Sequence, residues 1–199
     1  MRLGKFLTHL GMSAIAIAST SISLNASELG PEVVIKAVYT GMRRVDSTRA
    51  NPKLRWNVRN GTASRCGKVS GSMYCPRNNT IYITRQHIQM AYQYGDAALA
   101  YIVAHEYSHA IQIAGRFRPE NITATELQAD CLAGYYMGVM PDVSFDRRDV
   151  EEIASIAHQI GDYEFNNEQH HGTPKERARA VLTGFQASQQ QNINACRVN

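Results

Sequence analysis

The stretch DAALAYIVAHEYSHAIQIA, residues 96–114, places a His-Glu-Tyr-Ser-His group inside an otherwise almost wholly apolar segment. Its length predicts one long helix, with Asp96 as the cap and Gly115 as the stop. A helix that is apolar nearly all round is usually central in a protein. Histidine and glutamate side chains buried there need polar partners, because unpaired buried polar groups are costly. A metal ion is one such partner.

The two histidines of this group, His105 and His109, are four residues apart and therefore share one face of the helix. Each imidazole can give a nitrogen to a single zinc ion. Glu106 lies beside them, where it can accept a proton from a zinc-bound water. The alternative interpretation is two ordinary histidines on a buried helix.

A catalytic zinc site needs a third protein ligand and an open position, and Glu126 is the best candidate for the ligand. Asp130 is four residues further along and shares its helix face. It is expected to accept the spare ring N–H of a ligand histidine, with His105 preferred. The alternative role for Glu126 is as the capping-box glutamate of a helix capped by Thr123.

The remaining patterns predict a helix-rich α+β domain with a small sheet before the active-site helix. We expect helices at 31–44, 86–94, 123–139, 146–160 and 174–188, strands at 54–59 and 80–84, and a loop at 61–79.

Several blocks of the sequence resemble the neutral zinc metallopeptidases of bacteria, which are thought to be zincin-like. The blocks are YCPRNNTIYI, HEYSHAIQ, ELQADCLAG, DVEEIASIAHQIGD and HGTPKER, in that order, from about Cys66 to the C-terminus. The resemblance implies one zinc ion per chain on His105, His109 and Glu126, with Glu106 catalytic in peptide-bond hydrolysis. Ser108 departs from the pattern, because many members have glycine there.

His171 in the HGT block is the predicted group for stabilising the oxyanion of a tetrahedral intermediate. His170 and Tyr163 are alternatives for that role. A structural role for His171, near Thr173 and Arg177, is equally compatible with the sequence.

The strand TIYIT, residues 80–84, has two possible roles. As an edge strand beside the active-site helix, it could pair with an extended peptide substrate. Otherwise it is a core strand.

Residues 1–26 read as a secretory signal peptide, with a basic start, an apolar run and small residues up to a predicted cleavage after Ala26. The alternative is an uncleaved membrane anchor. Residues 27–199 are then expected to form a single domain with no stable membrane span after signal removal. The predicted location is exported, either periplasmic or extracellular.

Four cysteines, Cys66, Cys75, Cys131 and Cys196, lie after this leader. An even number in an exported chain predicts two disulfides, for which three pairings are possible. A four-cysteine zinc site is the rival, but it needs closely spaced cysteine pairs that this sequence lacks.

Charge is unevenly distributed, with eleven Lys or Arg and one acid between Lys36 and Arg85. No nucleic-acid motif accompanies this basic half, so a solvated basic face is the preferred interpretation. The expected partner is a peptide or protein substrate, and the sequence gives no prediction of oligomeric state. Three other functions remain open: a non-catalytic zinc-binding envelope protein that acts as a partner or chaperone, a purely structural zinc protein, and a peptidoglycan cross-link endopeptidase.

Overall fold

The computed structural model describes residues 1–3, 29–167 and 170–197. Its helices are α1 (Pro31–Val45), α2 (Arg85–Ala91), α3 (Asp96–Ala114), α4 (Ile122–Val139), α5 (Arg147–Gln159) and α6 (Pro174–Gln189), followed by a 3-10 turn (Ile193–Cys196). Its strands are β1 (Arg2–Leu3), β2 (Lys53–Val58), β3 (Ala63–Ser64), β4 (Gly67–Lys68), β5 (Met73–Cys75), β6 (Thr80–Thr84) and β7 (Val143–Ser144). The α+β class, with a small sheet before the active-site helix, is confirmed.

The main sheet has the order β2-β6-β5, with β2 parallel and β5 antiparallel to β6. All five residues of β6 are buried, so TIYIT is the central core strand and its predicted edge role is wrong. The edge strand that contacts α3 is β5, which lies in a segment that the sequence predicts to be loop. β2 alternates between exposed and half-buried residues, as expected of the other edge.

Helix α3 runs through the core, and sixteen of its residues are buried. It packs against α1 and α5 as well as α4. The helix ends at Gly115, as predicted, but its N-cap is Gly95 and Asp96 is its first residue. Because α3 is surrounded on several sides, its polar side chains are held by protein contacts rather than by bulk water.

Helices α4 and α6 cross unusually closely, and glycine allows it on both sides. A Cβ at Gly134 would lie 2.1 Å from the carbonyl oxygen of Val181, and one at Gly184 would lie 2.0 Å from that of Cys131. Neither backbone could accommodate a side chain without moving. This crossing brings Arg177 of α6 against Asp130 of α4.

Two disulfides are present, Cys66–Cys75 and Cys131–Cys196. The first closes the local loop that precedes β6, and the second ties the C-terminal segment to α4. The prediction of two disulfides is confirmed, and the four-cysteine zinc site is excluded because no described cysteine is free.

Removing the Cys131–Cys196 disulfide, by replacing both cysteines with serine, is expected to destabilise the fold more than removing Cys66–Cys75. The sequence separations are 65 and 9 residues. The loop-entropy estimate is then about 4 kcal/mol against about 2.5 kcal/mol. Urea unfolding of the two double variants under non-reducing conditions measures the difference. The reverse order of stabilities would contradict the estimate.

The predicted signal peptide lies outside the described residues except for residues 1–3. Those three are docked on the fold, where β1 pairs antiparallel with β7. Across the described ranges, no helix has the length and apolar character needed to cross a membrane. The two disulfides are compatible with an exported protein.

Candidate metal centre

His105, His109 and Glu126 converge at one point between α3 and α4. The Nε2 atoms of the two histidines are 3.2 Å apart. Glu126 places Oε2 3.2 Å from His105 Nε2 and Oε1 3.4 Å from His109 Nε2. Two histidines of α3 and a glutamate 17 residues after the second of them therefore direct their potential ligand atoms at a common centre.

These separations match the requirement of a tetrahedral zinc ion. Zinc bonds of about 2.0–2.1 Å at tetrahedral angles separate two ligand atoms by about 3.3–3.4 Å. The donor set of two imidazoles and one carboxylate also suits zinc. The three residues fit a zinc ion, although their role as its ligands stays a prediction.

A different side chain orients each histidine through a contact with its Nδ1 atom. His105 Nδ1 lies 2.8 Å from Asp130 Oδ1, as expected for a partner that orients a metal ligand. His109 Nδ1 lies 2.9 Å from Gln112 Oε1, and Gln112 in turn donates to the Thr125 carbonyl on α4. With both Nδ1 atoms acting as donors, both Nε2 atoms are left for a metal.

Arg177 and Tyr101 complete the surroundings of Asp130, which is fully buried. Arg177 donates from Nε and Nη2 to the two carboxylate oxygens of Asp130, each at 2.9 Å. The Tyr101 hydroxyl donates to Asp130 Oδ1 at 2.5 Å. Arg177 Nη2 also lies 3.8 Å from Glu126 Oε2, so one guanidinium faces both carboxylates of α4. Sequence reasoning assigned neither Arg177 nor Tyr101 to the site, because no local spacing links them to it.

The metal-free site is strongly polarised. Burial lowers the pKa of His105, but hydrogen bonds to Asp130 and Glu126 outweigh burial and raise this pKa to about 10. Burial would raise the pKa of Glu126, but the His105 hydrogen bond and the nearby positive charges lower it to about 2. Burial lowers the pKa of His109. A cation that binds here therefore displaces a proton from His105, so its affinity increases as the pH rises towards that value.

Glu106 lies in the same cleft and is only 7% exposed. Burial raises the pKa of its carboxyl to about 7, against the opposing charge of His105. The backbone amide of Tyr74 in β5 acts in the opposite direction to burial and lowers this pKa. Tyr74 also lines the cleft, so the edge strand lies beside the predicted general base.

Glu126 has no capping role in the structure. The N-cap of α4 is Asn121, whose side chain accepts from the N–H of Ala124, so the predicted cap at Thr123 is wrong. Thr123 instead donates its hydroxyl to the carbonyl of His170. The Glu126 carboxylate is thereby left to face the histidines.

A cleft of about 960 Å³ opens over these residues. His171 lines it, with Nδ1 3.9 Å from Glu126 Oε2 and a side chain that is 45% exposed. His170 and Tyr163 are not among its lining residues. His170 is hydrogen-bonded to Asp162, and Tyr163 is 67% exposed and makes an edge-to-face contact with Phe165. His171 is thus the member of the predicted trio nearest to the metal centre, and its catalytic role stays a prediction.

Two helical histidines, a downstream glutamate and a buried glutamate therefore line one cleft, and three of them could hold a metal ion. Residues 36–117 match the model of the family described as "Putative neutral zinc metallopeptidase", which confirms the resemblance over that part of the chain. The matched range includes His105, Glu106 and His109 and ends before Glu126.

Two proteins illustrate the similarity to known sequences. "Uncharacterized protein YpfJ" of Escherichia coli (strain K12) is 28% identical over 183 residues, covering 76% of this chain and 63% of that protein. "Uncharacterized protein Rv2575" of Mycobacterium tuberculosis (strain ATCC 25618 / H37Rv) is 28% identical over 159 residues, covering 61% of this chain and 54% of that protein. The chain therefore spans less than two thirds of the length of these relatives. No solved structure matches it significantly.

Proposed function

We propose that the chain is an exported zinc-dependent peptidase, with one zinc ion on His105, His109 and Glu126 and with Glu106 as general base. The observation that carries the proposal is the close approach of the two histidine Nε2 atoms to each other and to the two oxygens of Glu126, at 3.2–3.4 Å, beside a buried Glu106 in one open cleft. A zinc ion bound there supplies a Lewis acid that polarises the scissile carbonyl and acidifies the attacking water.

Glu106 accepts the proton of that water and passes it to the leaving amine. A pKa raised to about 7 by burial suits both steps, because the carboxyl can gain and release a proton near neutral pH.

His171 is the proposed donor to the oxyanion, since it lines the cleft close to Glu126. Arg177 holds the α4 side of the site together by pairing with Asp130 and approaching Glu126. Its side chain is only 3% exposed, which suits a positioning role better than direct contact with a substrate.

The edge strand β5 is the proposed docking strand for an extended peptide substrate. Met73 and Tyr74 of this strand line the cleft, and β6 occupies the opposite edge of β5. Pairing through backbone hydrogen bonds tolerates many side chains. Broad sequence tolerance in the residues that flank the cleaved bond is therefore expected.

A purely structural zinc site has less support. Structural sites usually have four protein ligands. Within the described residues, the candidate group contains only His105, His109 and Glu126. The buried Glu106 also has no role in a site that only binds metal, which weighs against a non-catalytic zinc-binding protein.

Removal of zinc is expected to abolish hydrolysis, because the residues alone cannot polarise the carbonyl. The assay uses the mature protein, a fluorescent casein and a peptide library, before and after treatment with dipicolinate. Isophthalate, which lacks the chelating nitrogen, is the matched control and should leave the rate unchanged. Stoichiometric zinc should restore the rate. Undiminished hydrolysis by protein that elemental analysis shows to be zinc-free would refute the proposal.

A further inference from the structure

A second cluster of carboxylates lies outside the cleft, at the beginning of the active-site helix. Asp96 begins α3, and it converges with Asp149 and Glu152 of α5, the ligand atoms of all three lying within 4.8 Å of one another. Asp96 and Asp149 are each 5% exposed. Gly95 has a φ of +122°, and a Cβ there would collide with the Glu152 carboxylate, so glycine lets this carboxylate pack on the helix start. We call these three carboxylates the acidic pocket.

Buried carboxylates at this separation repel one another and need a positive charge. Arg148 Nε lies 3.2 Å from Glu152, but its side chain is 78% exposed and stays at the pocket rim. The cation inside the pocket is the partly buried α-ammonium group of Met1, which is 2.7 Å from Asp149 Oδ1 and 3.4 Å from Asp96 Oδ1. The pocket therefore already holds a chain terminus.

A second segment of the chain reaches the same pocket. The backbone N–H of Leu29 donates to Asp96 Oδ2 at 3.1 Å, and the Leu29 carbonyl accepts from the Tyr92 hydroxyl. The predicted cleavage after Ala26 leaves Ser27 as the first residue, two positions before Leu29. Two residues span at most about 7 Å, so the new α-amino group can reach the carboxylates.

We propose that the acidic pocket is the binding site for the α-ammonium group of the processed chain, which replaces Met1 when the leader is removed. The inference rests on the proposed export. The ion pair ties the new N-terminus to the first residue of α3, and His105 lies nine residues, or about 14 Å, further along the same helix. Processing thereby exchanges one terminal cation for another without leaving the buried carboxylates of Asp96 and Asp149 unpaired.

The test is chemical labelling of the α-amino group in protein purified after export. Intact mass first identifies the N-terminal residue, and an acetylating reagent is then applied near neutral pH, where α-amines react before most lysines. Acetylation of the α-amine in the folded protein is expected to be about tenfold slower than in the same chain unfolded, because an ion-paired ammonium is rarely deprotonated. The exposed Lys68 provides the internal reference.

Asp149→Asn should restore fast labelling, whereas Glu151→Gln, at an exposed position of the same helix, should not. If Asp149→Asn does not fold, Asp96→Asn provides the comparison, because Asp96 is the second carboxylate that contacts the ammonium. A processed chain whose folded α-amine reacts as fast as the unfolded one overturns the inference. The inference is also overturned if calcium raises the melting temperature of the wild-type protein but not of Asp149→Asn, while the α-amine is labelled freely. The pocket would then be a metal site.

If the exported protein still begins at Met1, the leader is not removed. The proposed replacement of Met1 by a new α-ammonium group is then overturned as well. Zinc content and hydrolysis are measured on the same samples, so a failure of this inference remains distinguishable from a failure of the proposed peptidase function.

Discussion

Glu106→Gln is expected to keep zinc and to lose hydrolysis by about 10²- to 10⁴-fold, the usual contribution of a positioned general base. The amide has nearly the shape of the carboxylate but cannot accept the proton of the attacking water. Because Glu106 is not one of the three ligands, zinc content should stay at the wild-type level. The comparison requires rates on a substrate that wild-type protein cleaves, with elemental analysis of the same samples.

Glu120→Gln is the matched control, since Glu120 is exposed in the loop between α3 and α4. This variant removes the same charge outside the candidate site and should retain full activity. Substantial hydrolysis by Glu106→Gln would remove Glu106 from the mechanism. Loss of zinc in Glu106→Gln would mean that the carboxylate supports the metal rather than the water.

Arg177→Leu is expected to lower the free energy of unfolding of the metal-free protein by about 3–5 kcal/mol, as is usual when one partner of a buried ion pair is removed. Asp130 would lose two hydrogen bonds at 2.9 Å while staying fully buried. Leucine also leaves Glu126 without its nearby guanidinium. Urea unfolding in the presence of a chelator measures the effect without a contribution from zinc.

Arg179→Leu on the exposed face of the same helix is the control, with an expected change within about 0.5 kcal/mol. The free energy of unfolding of Arg177→Lys should lie between those of Arg177→Leu and Arg179→Leu. Lysine keeps the charge but lacks the planar guanidinium that donates to both oxygens of Asp130. Equal stability of the Arg177→Leu and Arg179→Leu variants would show that the buried pair does not stabilise this fold.

The parts of the site that follow helix periodicity were predictable from the sequence. His105 and His109 are four apart, as are Glu126 and Asp130, and each pair shares a helix face in the structure. The position of Asp130 against His105 follows from this periodicity once the two helices pack together. The N-terminus of α4 was harder to predict, because Asn121 and Thr123 are both good caps and only the geometry chooses Asn121.

The contacts that sequence reasoning missed are long-range. Arg177 is 47 residues from Asp130, and their ion pair exists because Gly134 and Gly184 let two helices cross closely. Sheet order was missed for the same reason, because local pattern does not tell which strand lies between two others. One signal was available: TIYIT carries no charged residue, whereas β2 contains Lys53 and Arg55, and charged side chains are typical of edge strands.

Metal content tests the central claim most directly, measured by elemental analysis on the processed wild-type protein and on Glu126→Ala in parallel. The three-ligand site predicts about one zinc ion per wild-type chain and its loss, or a large fall in affinity, in the variant. A zinc-free wild-type protein, even after zinc is supplied, would contradict the account and remove the basis for a peptidase. Full zinc retention by Glu126→Ala would contradict the assignment of the third ligand.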